Sequence, residues 1–324
     1  MGSNSKWIQG RPDESSQRIA RRAIKLRLAR MKEYLKRAVT APPRETENVH
    51  QLRVFSRRAA AALEIFAEWL PERRGRWVSK QVKAVRKAAG AARDFDVLTL
   101  RWSDLMRSEP SSQAALLLDQ IKRHRVIAQA PIEDVYEKLV RKRFGSRVKK
   151  LLKRLHAPGE GGPCDDRFDC LARTALGALA GSYFAAAQAE MSDAAALHAF
   201  RIQGKQVRYA MEIFAGAFDD DFRGQLYPLV VTLQERLGAV NDHVTAQGYF
   251  VAWHAEAESV AVREALERGI DRERTAVAVS HQEFLAWWST ERRDELAARF
   301  ARYVDLSPPA ASATPAPHDA PRGD

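Results

Sequence analysis

The sequence predicts an all-α protein made of two pseudo-symmetric antiparallel helical bundles, and three observations support this fold class. A stretch of the chain occurs twice: residues 49–66 read VHQLRVFSRRAAAALEIF and residues 197–214 read LHAFRIQGKQVRYAMEIF. The offset of 148 residues that aligns them also aligns Gly90 with Gly238, which indicates an internal duplication. Apolar residues recur at helical spacing along the chain, and no segment shows the alternation typical of a strand.

The expected elements divide the chain into five parts. These are a disordered leader over residues 1–14, a first helical-bundle half over 15–155, a linker over 156–166, a second half over 167–305 and a disordered tail over 306–324. The tail is rich in Pro and Ala, a composition that does not support a packed core.

Helices are expected within each half, and turn signals mark their ends. The first half is predicted to contain helices near 15–39, 45–70, 73–89, 96–108, 112–128 and 132–155, and the second near 167–190, 193–217, 220–237, 242–256, 259–280 and 282–304. Gly90 is a suitable helix C-cap, and Asp94 or Asp96 is a suitable N-cap for the next helix. A tight corner between two helices is therefore expected at Arg93–Asp94.

Each copy of the repeated stretch is an amphipathic helix that carries a row of polar residues. Steps of three and four residues stack these side chains on one helical face, beside an apolar face. Each row ends at a glutamate, Glu64 or Glu212, which is expected to orient arginines of neighbouring helices. The first row contains His50, Arg53 and Arg57, and the second contains His198, Arg201, Lys205 and Arg208.

Positive charge is distributed unevenly between the halves. The 324 residues carry a formal net charge of +12, which indicates an anionic partner. Residues 1–155 contain 37 Lys and Arg against 16 Asp and Glu, whereas residues 156–324 contain 16 against 25. The second part has one lysine, Lys205, and it occupies the position that corresponds to Arg57. Positive charge is therefore retained on the duplicated helix face in an otherwise acidic half.

These motifs resemble the CHAD domain, the conserved-histidine α-helical domain. The first half matches at His50-Gln-Leu-Arg53 and at Gly90-Ala-Ala-Arg93-Asp94, and the second at His198-Ala-Phe-Arg201 and at Leu237-Gly-Ala-Val-Asn241-Asp242. The resemblance covers roughly residues 15–305, with both motifs in the expected order in each half. One departure is Ala60, which stands where the second copy has Arg208. Many relatives also carry a triphosphate-tunnel (CYTH) domain, and the sequence shows no motif for one.

The resemblance implies an all-helical domain that binds inorganic polyphosphate. The residues fit this ligand, because Arg and Lys one helical turn apart match a chain of repeating negative charges, and Arg can hold two phosphate oxygens at once. We predict non-catalytic binding in a basic groove between the halves, in a cytoplasmic protein associated with polyphosphate granules. The predicted binding residues are Arg22, Lys25, His50, Arg53, Arg57, Lys83, Arg173, His198, Arg201, Lys205 and Arg208.

Several residues and the function itself have a second interpretation. His50 and His198 either donate hydrogen bonds to phosphate or fix a contact between helices. The basic row from Arg76 to Lys87 and the cluster over 141–154 are either anion-binding surfaces or solvated outer faces. The alternative function is a nucleic-acid or other polyanion-binding module, against which the few aromatic residues exposed on the repeated helices argue. The sequence indicates no oligomeric state.

Other classes of function find no support in the sequence. An enzyme acting on phosphoanhydrides would need clustered carboxylates to hold Mg²⁺, and the acidic residues form no such motif. No metal site or cofactor is expected from the spacing of His and Cys. No apolar run of about 18 residues predicts a membrane span, and the first residues contain no apolar signal region. Cys164 and Cys170 are interpreted as isolated thiols of a reducing compartment.

Overall fold

The computed structural model describes residues 6–41, 45–156, 166–189, 191–192 and 194–306. Within these ranges the chain is α-helical and has no β-strand, which confirms the all-α fold class. Short 3₁₀ turns follow α2 and α8, and a π-helical turn precedes α9. The helices are α1 (Ser16–Thr40), α2 (Thr46–Ile65), α3 (Glu72–Ser108), α4 (Ser112–Ile127), α5 (Ala130–Arg141), α6 (Phe144–Leu152), α7 (Phe168–Ala186), α8 (Ala194–Phe214), α9 (Tyr227–Glu256), α10 (Val260–Trp287) and α11 (Thr290–Ala301).

The packing places corresponding helices of the two halves side by side. Within the halves, α1 packs on α2, α2 on α3, α7 on α8 and α8 on α9. Between the halves, α1 contacts α7, α2 contacts α8, α3 contacts α9 and α4 contacts α10. The first residues of α2 and α8, Thr46 and Ala194, are separated by the same 148 residues that relate the repeated stretches. This arrangement fits the predicted pseudo-symmetry, while the duplication itself stays a prediction.

Aromatic side chains at the ends of α2 and α8 join the halves. The ring centroids of Phe66 and Phe214 are 6.3 Å apart, and those of Phe168 and Phe214 are 6.1 Å apart. All three side chains are fully buried. Aromatic pairs at such distances stabilise a core beyond the area that they bury. The Phe66–Phe214 contact holds the ends of α2 and α8 next to each other, which positions the two polar rows, and Phe168 attaches α7 to the same cluster.

Helix α3 is continuous from Glu72 to Ser108, so the predicted corner at Arg93–Asp94 is wrong. Buried residues at helical spacing, among them Val82, Val85 and Ala89, continue beyond Gly90 to Phe95 and Leu98. The burial of this uninterrupted apolar face outweighs the local cap signals. Helix α9 is likewise continuous through Asn241 and Asp242, where the sequence predicted two helices.

Two other helix boundaries differ from the prediction: one predicted helix is divided into two, and another helix is longer than expected. The single helix expected over 132–155 is interrupted at Arg143, whose left-handed backbone (φ 50°, ψ 47°) separates α5 from α6. Helix α10 extends to Trp287, past the end expected at residue 280. An arginine gives no sequence signal for a left-handed turn, because that conformation is typical of Gly and Asn.

Residues 6–14 correct the expectation of a disordered leader over 1–14. Ile8 is fully buried, and its N–H donates to the carbonyl oxygen of Glu212 at 3.1 Å. The N–H of Phe168 donates to the carbonyl oxygen of Glu14 at 3.0 Å, which ties this segment to the start of α7. Burial of the apolar pair Trp7 and Ile8 orders the segment. Residues 1–5, linker residues 157–165 and residues 307–324 lie outside the described part of the chain.

Cys170 is disulfide-bonded, so its interpretation as an isolated thiol is wrong. Cys164 lies outside the described residues. Whether a thiol meets a partner depends on the path of the chain, which the number and spacing of cysteines do not specify.

Candidate functional site

A cavity of about 730 Å³ lies where α2, α3 and α8 meet, and we call it the central cavity. Its lining contains six cationic side chains and two acidic ones, Glu64 and Asp94. Such an excess of positive charge in a concave site attracts anions. The cationic residues of the lining are Arg53, Arg57, Lys83, Arg86, Lys87 and Lys205.

Helix α2 contributes Arg53 and Arg57, which lie one turn apart. The Nη2 atom of Arg53 is 3.4 Å from Oδ1 of Asp94, and the hydroxyl of Tyr249 donates to the other oxygen of Asp94 at 3.3 Å. Burial raises the pKa of Asp94, and the nearby Asp242 adds to this effect while Arg53 opposes it. Asp94 is therefore a partner for Arg53 within α3 and not the N-cap of a new helix.

Gly90 gives Arg53 the space that this position requires. A Cβ atom at Gly90 would lie 2.9 Å from Nη1 of Arg53. Because Gly90 is in the middle of α3, its role is to let the guanidinium approach the helix backbone. At the corresponding position of the second half, a Cβ at Gly238 would have no atom within 4 Å.

Helix α8 contributes Lys205, which lies among arginines from both halves. Burial and the nearby charges of Arg57, Arg201 and Arg53 lower the pKa of Lys205 from 10.5 to about 6. The structure therefore brings the two predicted rows together at Arg53, Arg57 and Lys205. Without an anion, Lys205 is mainly neutral near pH 7.

Arg201 and Arg208 flank Lys205 on α8 but do not line the cavity. Burial, followed by the charge of Arg57, lowers the pKa of Arg201. Arg208 donates to the hydroxyl of Tyr209 at 3.1 Å, and its guanidinium lies 4.9 Å from the centroid of the Tyr209 ring. In the described part of the chain, the buried Nε atoms of Arg201 and Arg208 have no hydrogen-bond partner.

Helix α3 supplies Lys83, which was predicted, and Arg86, which was not. Lys83, Arg86, Lys87 and Gly90 follow the spacing i, i+3, i+4, i+7 and so share one face of α3. That spacing was the available signal for Arg86. Tyr249 of α9 was also missed, because nothing in the sequence places it next to Asp94.

The two histidines occupy different surroundings. His50 is half-buried, and burial together with the charge of Arg93 lowers its pKa, which favours the neutral form. His198 is exposed on α8. Neither lines the central cavity.

Three further predicted residues lie outside the central cavity, in addition to Arg201, Arg208 and the two histidines. Arg22 on α1 forms an ion pair with Glu14, with Nη2 and Oε1 2.6 Å apart. Lys25 is exposed on α1 and is not part of the lining. Arg173 on α7 donates to the carbonyl oxygen of Tyr303 at 2.7 Å. The offset aligns Lys25 with Arg173, and neither residue lines the central cavity.

Glu212 is the centre of a buried polar cluster at the end of the α8 row. It is 1% exposed and accepts two hydrogen bonds from Arg58, from Nε at 2.7 Å and from Nη2 at 2.9 Å. Arg27, also 1% exposed, approaches it at 3.4 Å, and the hydroxyl of Tyr227 donates to it at 2.8 Å. A carboxylate held in this way ties α1, α2 and α9 to α8. Glu64, its counterpart by the offset, is exposed and accepts from Gln206 at 3.0 Å.

Two further properties concern the described ranges as a whole. No three or more His, Cys, Asp and Glu side chains of these ranges are grouped closely enough to hold a metal ion. No helix in these ranges combines the length and apolarity needed to cross a bilayer.

Comparison with protein-family models gives a match to the CHAD domain over residues 22–251. The chain belongs to the CHAD domain family. The match includes every residue that lines the central cavity. Comparison with curated proteins gave no match.

Two solved structures have a similar fold, a plant CHAD domain and a bacterial protein. The crystal structure of the CHAD domain from the plant Ricinus communis matches with a TM-score of 0.69 and 20% identity, covering 91% of this chain and 94% of that chain. PptA from Streptomyces chartreusis matches with a TM-score of 0.59 and 18% identity, covering 85% of this chain and 99% of that chain. At these identities the likeness concerns the fold alone.

Proposed function

We propose that this CHAD domain binds inorganic polyphosphate in the central cavity. The observation that carries the proposal is the meeting of Arg53 and Arg57 from one half with Lys205 from the other. Burial, together with the charges of the nearby arginines, lowers the pKa of Lys205 to about 6, so the free protein holds these basic side chains together without enough counter-charge. A ligand with closely spaced negative charges relieves this repulsion.

The shape and chemistry of the cavity favour a thin, linear phosphate polymer. Guanidinium groups bind phosphate oxygens in pairs, while lysines act as point charges along the chain. The basic lining side chains of α2 and α8, Arg53, Arg57 and Lys205, are partly buried, so the bound anion loses water and the charge interactions become stronger. CHAD domains are often associated with polyphosphate binding, which supports this assignment.

A nucleic acid or another polyanion is the alternative ligand. Two tyrosines line the cavity: Tyr209 is only 5% exposed, and Tyr249 is half-buried with its hydroxyl donating to Asp94. Their rings therefore offer little surface for a stacked base. A competition experiment with labelled polyphosphate and unlabelled DNA or RNA separates the alternatives. If nucleic acid displaces the label at equal phosphate concentration, the polyanion-binding module is favoured.

We also infer that binding is non-catalytic. The two acidic side chains of the lining are engaged with protein groups: Asp94 contacts Arg53 and Tyr249, and Glu64 contacts Gln206. Neither is arranged to hold Mg²⁺ against a phosphoanhydride. The expected result is that prolonged incubation with long-chain polyphosphate and Mg²⁺ releases no orthophosphate.

A titration of long-chain polyphosphate against charge-reversal variants tests the binding site. Arg57→Glu and Lys205→Glu are expected to lower the affinity by about tenfold or more, since each removes a charge-assisted contact and adds a repulsive charge. Arg268→Glu, at an exposed position of α10, is the control for the change in net charge. Equal losses in all three variants would indicate a diffuse electrostatic surface and would contradict the proposed site.

In the cell, we expect the protein to associate with polyphosphate granules in the cytoplasm. A fluorescent fusion of the protein is expected to localise at the granules. The Arg57→Glu fusion is expected to lose this localisation at equal abundance, because it lacks the binding site.

A further inference from the structure

A second cationic cavity lies at a different place on the surface of the first half. It has a volume of about 920 Å³ and is formed by the beginning of α3, the α5–α6 turn and α6, and we call it the α3–α6 cavity. Its lining contains no acidic side chain. Its cationic residues are Arg73, Arg74, Arg141, Lys142, Arg143, Arg147 and Lys150.

These cations form no ion pairs with the described residues. None of the seven forms an ion pair within the described ranges, although many other arginines of those ranges do. Arg74 is half-buried and the others are exposed. A concave surface that gathers unpaired cations attracts a polyanion, unlike a surface made soluble by mixed charges.

The local structure holds parts of the α3–α6 cavity in place. Arg143 adopts the left-handed conformation that ends α5 and starts α6, which is an unfavourable backbone for a residue with a Cβ. The guanidinium of Arg147 lies 4.6 Å from the centroid of the Trp77 ring, and its Nε donates to the carbonyl oxygen of Lys142 at 3.2 Å. Arg147 is therefore pre-organised toward the cavity, which lowers the entropy lost when an anion binds.

A stripe of cations on α3 connects the two cavities. Arg73, Arg76, Lys80, Lys83 and Lys87 follow each other at steps of three and four residues on one face of α3. Arg73 lines the α3–α6 cavity, whereas Lys83 and Lys87 line the central cavity. At 1.5 Å per residue the stripe is about 21 Å long.

The second half does not repeat this surface. Under the offset of 148, Arg143 and Arg147 correspond to Glu291 and Glu295, and Lys80 corresponds to Pro228. The α3–α6 cavity and the stripe therefore belong to the first half, and they account for part of its large positive charge.

We propose that the α3–α6 cavity is a second anion-binding site, and that one polyphosphate chain occupies both cavities by lying along the cationic stripe of α3. This inference rests on the proposed function of the central cavity. It assigns the protein a preference for chains long enough to span about 21 Å. Two linked contacts increase affinity well beyond that of either alone, provided that one chain reaches both.

The experiment is a titration of three pairs of charge-reversal variants with long-chain polyphosphate and with tripolyphosphate, which is too short to span the stripe. Arg143→Glu with Arg147→Glu alters the α3–α6 cavity, and Arg53→Glu with Arg57→Glu alters the central cavity. Lys122→Glu with Arg123→Glu, at exposed positions of α4, gives the same change in net charge elsewhere. Lys142→Glu with Lys150→Glu tests the same α3–α6 cavity without changing the left-handed position, in case the Arg143 variant folds poorly.

The wild-type protein is expected to bind the long chain at least about tenfold more tightly than tripolyphosphate. The α3–α6 variants are expected to lose about tenfold in long-chain affinity relative to the α4 control, and to bind one tripolyphosphate fewer than the wild type. If the α3–α6 variants match the α4 control while the central-cavity variant is weakened, the second site is overturned and the proposed function stands. If the central-cavity variant also matches the α4 control, the proposed function fails.

Discussion

Lys205 is a lysine in a cluster of arginines, and this environment controls its protonation. The free protein binds fewer protons than the unfolded chain between about pH 6 and 10.5, because the pKa of Lys205 is lowered over that range. This group therefore makes the free protein more stable as the pH rises through that window, and the effect is lost as the pH falls toward 6. A polyanion bound next to Lys205 adds negative charge and therefore raises the pKa of Lys205 again.

We expect polyphosphate binding at about pH 8 to take up close to one proton per protein. Calorimetry in buffers with different heats of protonation measures this number. Lys205→Arg is expected to keep high affinity and to abolish the uptake, because a guanidinium stays charged in the free protein. Lys83→Arg, at an exposed position of the same cavity, is expected to leave the uptake unchanged. An unchanged uptake in Lys205→Arg would assign the proton to another group.

Gly90 and Gly238 form a matched pair for testing the position of Arg53. Both lie inside helices, where Ala is more favourable than Gly by up to about 1 kcal/mol. Gly238→Ala is expected to raise the free energy of unfolding by that amount without changing affinity, because its Cβ meets nothing within 4 Å.

Gly90→Ala is expected to lower polyphosphate affinity several-fold and to stabilise the protein less. Its Cβ would lie 2.9 Å from Nη1 of Arg53, so the guanidinium moves away from Asp94. Polyphosphate titration and urea unfolding of both variants measure the two effects. Identical affinities in the two variants would show that the approach of Arg53 to α3 is not needed for binding.

At the scale of helices, the sequence predicted the repeated elements better than their ends. The amphipathic rows predicted the starts of α2 and α8 to within one residue, since a polar face opposite a buried face is encoded by spacing alone, but α2 ends five residues and α8 three residues before the expected ends. The local signals at Gly90 and Asp94 were misread as caps, because the same residue types serve a close approach and an ion pair within a continuous α3. Tyr249 and Arg58 could not be assigned to the site or to Glu212, since their contacts join helices that are distant in sequence.

Helix α8 is attached to its neighbours through Glu212. Glu64, which corresponds to Glu212 by the offset, serves as the control for a test of this contact. Glu212→Gln leaves the buried Arg27 and Arg58 without a full counter-charge, so we expect the free energy of unfolding to fall by about 3–5 kcal/mol. Glu64→Gln changes an exposed side chain and is expected to alter stability by less than about 0.5 kcal/mol. Urea unfolding of both variants measures the difference. Similar losses would mean that burial of the carboxylate does not determine its contribution.

At the scale of the whole molecule, the positive charge of the first half is expected to lower the stability of the free protein and to favour the binding of a polyanion. Residues 1–155 contain 37 Lys and Arg against 16 Asp and Glu, and the cavities bring many of these cations together. Repulsion among them weakens the free protein, and salt screens that repulsion. The same salt weakens the binding of a polyanion, because each counterion released from the polymer gains less entropy when the surrounding solution already contains more salt.

We therefore expect the melting temperature of the free protein to rise between about 50 and 200 mM salt, while the affinity for long-chain polyphosphate falls by about 10³ if six or more phosphates are neutralised. The increase in melting temperature caused by a fixed concentration of polyphosphate must then shrink as salt is added, since this increase follows the ratio of ligand concentration to Kd. Thermal unfolding with and without polyphosphate over a salt series measures both trends on one sample.

The double variant Arg53→Glu, Arg57→Glu is the control. The melting temperature of its free form is expected to depend less on salt, because the central cavity has lost its excess of cations. A ligand-induced increase that stays constant over the series would show that ionic contacts do not dominate binding.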